Sequence, residues 1–415
     1  MRERSSIDVT DHREQQVRRN TTLLALAQGL AQAAAPVLLI VGSTAIVDLS
    51  GRDGSIGLLN GFYFVAAATG AVVIGRLMDR NGRRPGLVLA YLLVGVSGVG
   101  AWLAVSAGST LGLLVAAVGF GLGFGGVNLA RAAVADMYPP EHRGRAVGIL
   151  LAAGTVGAVG SPFLVAYLRG VAESRGGDPD LLPWVIVPLV AGGALACALR
   201  LRPDPRDLAV RAEAASETSP ARSPRQLLAI PAFRVAVAAA AVGQVAMVAV
   251  MGVTPVALEH SHHASDTAVS SVISLHIAGM FAFSPLIGAA LDRFGRRPGL
   301  ILGGVTSIVG ALIVATDASP SVVGVGLFAI GLGWSATFLG STAVISDLTG
   351  AHERGGALGF TDLLVAFASA AAAFAGGFAF AGVGFRTLAL GVAALVLFAV
   401  LAILRVRVPV PADES

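Results

Sequence analysis

One loop is written twice in this chain. Gly75-Arg-Leu-Met-Asp79-Arg80-Asn-Gly82-Arg83-Arg84-Pro85 returns as Gly288-Ala-Ala-Leu-Asp292-Arg293-Phe-Gly295-Arg296-Arg297-Pro298. Glycine, aspartate, arginine, glycine, two arginines and proline recur at one spacing. Each copy stands between apolar runs long enough to cross a bilayer. Hydrophobic residues make up 55% of the chain and charged residues 13%, with a mean hydropathy of +0.78. A soluble fold cannot hide that much apolar surface, so lipid must be part of the solvent. A long internal repeat in such a chain predicts a duplicated membrane bundle.

A spanning helix takes about 20 apolar residues. On that measure the chain divides into twelve segments: 22–47, 56–78, 86–106, 110–137, 145–169, 183–200, 233–258, 267–291, 299–316, 322–346, 357–380 and 387–404. The expected fold is therefore all-α and polytopic. A polar tail (1–20) precedes a six-helix bundle (21–200). A linker (201–232) rich in Pro, Ala, Ser, Glu and Arg leads to a second bundle (233–404) and a short tail (405–415). The apolar run behind Arg18 and Arg19 continues to Val47, too long for a cleaved signal peptide.

All 29 basic residues are arginine. They crowd onto one side: the N-terminal tail, both repeated loops, Arg143, Arg145, Arg354, the linker, Arg405 and Arg407. The opposite loops hold little beyond Arg52, Arg169, Arg175 and Arg386. The positive-inside rule then puts both termini in the cytoplasm of a cell that carries the protein in its inner or plasma membrane. The same rule explains the net charge of +4 without nucleic acid, for which no separate basic face exists. The single Cys197 rules out an intrachain disulfide. No Walker loop, hydrolase motif or covalent nucleophile is present, so neither an enzyme nor a cofactor is expected.

The doubled loop, the central linker and two six-helix halves resemble the major facilitator superfamily over essentially the whole chain after Thr21. The turn Asp136-Met-Tyr-Pro-Pro-Glu-His-Arg143-Gly144 adds to the likeness, and its counterpart Asp347 with Arg354-Gly355 keeps the repeat register. The resemblance implies a secondary transporter that works by alternating access, with a small-molecule substrate near the midplane between the halves. It further implies a cytoplasmic latch. In the family the loop aspartate caps a helix of the other half, and its neighbouring arginine pairs with the acid ending the fourth helix. Here those positions are Asp79, Arg83 and Asp136, with Asp292, Arg296 and Asp347 as the second set. The motif pattern is nearest to drug/proton antiporters, which implies proton-coupled efflux by a monomer in the bilayer. Two departures weaken the export pattern. Ala117 stands where such exporters often carry arginine, and Gly157-Ala-Val-Gly160-Ser161-Pro162 has serine at the second glycine of G-x-x-x-G-P. Uptake or facilitated diffusion is the transport alternative. A non-transporting membrane sensor or partner subunit is the alternative of another class.

Polar residues inside spans cost energy and mark function. Gln28 and Gln32 share a face of the first segment, and Gln244 falls near the repeat position of Gln32. Amides there can bind a polar substrate or join helices. Asn128 and Arg131 share a face of the fourth segment, and Trp334 in the tenth lies at a place comparable to Phe124. With His276 in the eighth they are the expected cavity residues. Asp362 and His276 are the expected proton-coupling groups, since each can change charge. His260, His262 and His263 beside Glu259 and Asp266 read as an exposed polar loop rather than a metal site.

Overall fold

The structure, a computed structural model, describes residues 2–209 and 222–405. The tail after 405 and the middle of the linker, including Arg211, lie outside the described residues. Among those described, eleven helical stretches are long and apolar enough to cross a membrane. They are α1 (Arg13–Ser50), α2 (Ser55–Asn81), α3 (Arg83–Ser106), α4 (Thr110–Asp136), α5 (Arg145–Ser174), α6 (Leu182–Leu199), α7 (Pro231–His260), α8 (Asp266–Phe294), α9 (Arg296–Val314), α10 (Pro320–Leu348) and the long stretch Gly356–Arg405. That last stretch of 50 residues is about twice what one crossing needs. Its backbone leaves the helix at Gly384 (φ 79°, ψ 172°), a conformation that only glycine adopts cheaply. We therefore describe it as α11 (356–383) and α12 (385–405), which brings the crossings to the twelve expected.

Local signals explain where the helices begin. Ser109, Ser265 and Ser319 each cap a helix by accepting a backbone N–H three residues on, as N-cap serines do. Three features differ from the sequence reading. The first helix starts at Arg2 rather than near Thr21. No glycine or proline stands between those residues to stop it. It is then interrupted by a turn at Ala33–Ala34 and a π-helical turn over Leu38–Gly42. The linker, to which the sequence reading assigned no helix, holds a short one, Pro224–Ala229, opened by a capping box between Ser223 and Gln226.

The chain forms two compact units, Met1–Gly42 with Val65–Ser216, and Ser43–Phe64 with Glu217–Ser415. In the first, α3 packs on α4 and α6, and α1 packs on α5 and α6. In the second, α10 packs on α7, α8 and α9. Residues 43–64 belong to the second unit although they lie in the first half of the sequence. Asn60 on α2 donates to the Gly252 carbonyl there (3.2 Å). Leu111, Val156 and Phe398 stand on the surface among many other large exposed apolar side chains. On spanning helices such side chains meet lipid.

One helix crossing bears on the export pattern. A side chain at Gly157 would place its Cβ 1.9 Å from the Gly29 carbonyl oxygen, so α5 lies against α1 with no room for more than hydrogen. One turn on, Ser161 Oγ donates to the Ala33 carbonyl at 2.5 Å, where α1 is broken. Backbone groups freed inside a membrane need such a partner. The serine that departs from G-x-x-x-G-P thus has a bonding role that glycine cannot fill.

Candidate functional site

The two copies of the repeated loop fold alike. In each, the second glycine takes a positive φ, 102° at Gly82 and 91° at Gly295, and the next helix starts at once. Arg83 turns back to hold two carboxylates. Its Nη1 lies 3.0 Å from Asp79 Oδ1 and its Nη2 2.8 Å from Asp136 Oδ2, which also accepts from Nε at 2.9 Å. In the second copy Arg296 bonds Asp292 through Nη1 and Asp347 through Nε at 3.3 Å. Both arginines are largely covered, whereas Asp79 and Asp292 are about 70% exposed. The structure thus brings together, within each unit, the three residues expected in each set.

The copies differ in what covers the start of the following helix. At Arg83, the carboxylate of Asp204 accepts the backbone N–H groups of Arg83 and Arg84, each at 2.9 Å. Asp204 also accepts from the Arg206 N–H at 2.8 Å, and Arg206 reaches the Arg80 carbonyl at 3.3 Å. A Cβ at Gly82 would lie 2.6 Å from Asp204 Oδ2. The linker therefore caps the repeated loop, in the way an N-cap residue would. At the second copy the N-cap is likewise a glycine, Gly295. Arg297 instead donates to the Leu404 carbonyl at 2.6 Å. Sequence reasoning missed Asp204. The signal was an aspartate between Pro203 and Pro205, a turn-forming setting.

The polar residues of the spans fall into different settings. Gln28 is buried, and its Oε1 has no partner among the described residues. Gln28 and half-buried Gln32 both lie against Gly154 of α5, so the shared face is real and its neighbour is α5. Asn128 and Arg131 are both exposed on α4, at and just past its break. Asp362 is exposed on α11. His276 is fully buried, and its Nδ1 lies 2.6 Å from the Leu327 carbonyl of α10. A carbonyl only accepts, so Nδ1 carries the proton. His276 Nε2 is buried without a partner among the described residues. Phe124 is buried and stacks on Phe120.

Trp334 is placed differently. Its indole N–H donates to Gln244 Oε1 at 2.6 Å. Phe338, one turn on, lies parallel to it (5.1 Å, 7°), and Phe281 of α8 meets it edge-on (5.7 Å, 73°). All four residues are half-buried. His260 stands 4.0 Å from Asp48 and 3.9 Å from Asp53. Among the described residues, no group of three His, Cys, Asp or Glu side chains is placed to hold a metal ion.

The two-unit helical architecture with a matched ion-paired loop in each unit defines a membrane transport scaffold, and comparison with known proteins gives the family. The model of the Major Facilitator Superfamily matches residues 21–257 and 235–415. The chain belongs to that superfamily and is a multi-pass membrane transporter of a small molecule, not an enzyme. It is 30% identical over 346 residues to YdeG, an uncharacterized MFS-type transporter of Bacillus subtilis (strain 168), covering 80% of this chain and 78% of that one. It is 28% identical over 350 residues to the riboflavin transporter RfnT of Brucella anthropi, covering 84% and 85%. Among solved structures, a D-xylose–proton symporter superposes with a TM-score of 0.75 at 18% identity, over 95% of this chain and 98% of that one. A bacterial homologue of the human lysosomal transporter Spinster gives 0.69 at 18% identity, over 93% and 95%. These likenesses confirm the fold. They lend no support to the expected nearness to drug/proton antiporters.

Proposed function

We propose that this protein is a secondary transporter that carries a small organic molecule by alternating access, linked to protons, with export as the leading direction. The observation that carries the reading is the matched pair of ion-paired loops, Asp79–Arg83–Asp136 and Asp292–Arg296–Asp347. Largely exposed carboxylates held by single arginines are weak, breakable contacts. A pair of them at equivalent places suits a molecule that must stabilise two conformers nearly equally. Both termini and these loops lie in the cytoplasm on this reading, by the arginine asymmetry, and a monomer suffices. The substrate contacts come from Gln32, Asn128, Arg131, Gln244 and Trp334. Gln28, sealed against α5, acts as packing.

Asp362 is the coupling group. It is a carboxylate exposed on a membrane span, a place where charge is costly unless water reaches it or a proton neutralises it. His276 suits coupling less, because its protonated nitrogen is spent on the Leu327 carbonyl of a neighbouring helix. Uptake is the second reading. Ala117 and Ser161 favour it, since both depart from the exporter pattern.

Proteoliposomes test the coupling. Asp362→Asn should keep substrate exchange and lose accumulation driven by a pH gradient. Accumulation that persists in both Asp362→Asn and His276→Gln would refute this assignment. The sign of the gradient that drives accumulation distinguishes export from uptake.

A further inference from the structure

We propose that Trp334, Phe338, Phe281 and Gln244 form a binding platform for a flat heteroaromatic ring that carries a hydrogen-bond acceptor on its edge. The proposal rests on the transport reading and names the class of substrate for that site.

Position is the first argument. Gln244 lies mid-way along α7, Trp334 mid-way along α10 and Phe281 mid-way along α8. Tryptophan facing lipid prefers the two interfaces of the membrane, not its centre. An amide facing hydrocarbon mid-span would leave an N–H unpaired at high cost. Gln244 does carry such a group. The indole N–H can only donate, so the amide oxygen must face Trp334 and the amide nitrogen must point away. That nitrogen has no partner among the described residues, and Gln244 is only half-buried. This face of the second unit therefore meets water or a ligand rather than lipid.

Shape is the second argument. Trp334 and Phe338 are parallel within 7°, and Phe281 braces the indole from its edge. The Gln244 bond fixes the indole in its plane. The result is a rigid, half-exposed aromatic surface beside one free donor. Aromatic rings stack in offset fashion on such a surface. The donor at its margin selects an acceptor on the ligand's rim. The first unit supplies a contrast. Phe124, at the comparable place, stacks on Phe120, and that pair is buried at 3% and 1% exposure. A stacked pair that only packs helices looks like that one. A relative of this chain is a riboflavin transporter, and riboflavin is a flat fused ring system with carbonyl and ring-nitrogen acceptors on its edge.

Equilibrium binding of labelled riboflavin to the purified full-length protein tests the platform. Lumichrome, the flat ring system without the sugar-like chain, and ribitol, the chain without the ring, serve as competitors. The platform predicts saturable binding displaced by lumichrome and not by ribitol. Trp334→Ala should weaken binding about tenfold, the scale of one lost stacking partner. Trp334→Phe should stay within about threefold, since a ring remains. Gln244→Ala should weaken binding severalfold, and Trp102→Phe, at an exposed side chain of α3 in the first unit, should leave it unchanged. No saturable binding of riboflavin or lumichrome, displacement by ribitol alone, or equal affinity in Trp334→Ala would overturn the proposal. Flux measured in the same preparations separates it from the transport reading. Transport of D-xylose without riboflavin binding sinks the platform and leaves transport standing. Trp334-dependent riboflavin binding without any flux does the reverse.

Discussion

Glu353 holds Arg222 by side chain and main chain together. Arg222 Nε lies 3.1 Å from both carboxylate oxygens, and its backbone N–H donates to Oε2 at 3.0 Å. The same arginine reaches the Leu348 carbonyl at 2.6 Å, and Gly350 N–H adds a bond to the carboxylate at 3.3 Å. The end of the linker is thereby fastened to the α10–α11 loop within the second unit.

That bond set predicts a pH dependence. Hydrogen bonds from Arg222 hold the Glu353 carboxyl down at about 2, from an ordinary 4.5, and the same pairing raises the Arg222 pKa. A depressed carboxyl contributes stability that is complete above its unfolded value and vanishes as pH falls through its folded value. The melting temperature of the protein should therefore exceed that of Arg222→Gln by a constant margin above about pH 5. The margin should shrink below about pH 4.5 and approach zero near pH 2. A margin that is unchanged between pH 7 and pH 3 would contradict the assignment.

Asp204 predicts a cap. Asp204→Ala removes the acceptor for two N–H groups at the start of α3, at a cost of about 1 kcal/mol. Asp204→Asn keeps an acceptor oxygen and should lose less than half of that. Gly82→Ala should cost more than either. It meets both the positive φ and the Asp204 carboxylate. Thermal unfolding of the three variants in one detergent checks the order.

The crossings and the doubled loop were legible because each is a pattern of contiguous residues. Apolar length sits within one run and the spacing of Asp79 and Arg83 within one turn, and Gly82-Arg83-Arg84 recurs as a contiguous string at Gly295-Arg296-Arg297. The partners that complete the site were not legible. Asp204 meets Arg83 across 121 residues of chain and Arg222 meets Glu353 across 131. Nothing in either local pattern records such a contact. Trp334 was visible as an aromatic residue in mid-span, but its bond to Gln244 depends on how α7 and α10 pack. The helix before Thr21 was missed because apolar length was used to mark its start, and helices outlast the membrane when no breaker stops them.

The arginine triads predict a split between stability and transport. The Asp79–Arg83 pair is exposed on its acid side, so Asp79→Asn should alter stability by no more than about 0.5 kcal/mol. Flux should nevertheless fall severalfold as the balance of conformers shifts. Asp136→Ala removes the better-covered acceptor of Arg83 and should cost about 1 kcal/mol. Normal flux in Asp79→Asn, with unchanged accessibility of the loop, would reject the latch.

The central claim is that this chain alone carries a small organic molecule across a bilayer. Entrance counterflow reads this most directly. Purified protein in liposomes loaded with unlabelled riboflavin should transiently accumulate external labelled riboflavin, without ATP and above protein-free liposomes. Asp79→Asn should slow the rise, and a parallel set loaded with D-xylose should report whether a non-aromatic solute is carried. Movement of neither solute above protein-free liposomes, from protein shown to be folded by its thermal transition, would contradict the account.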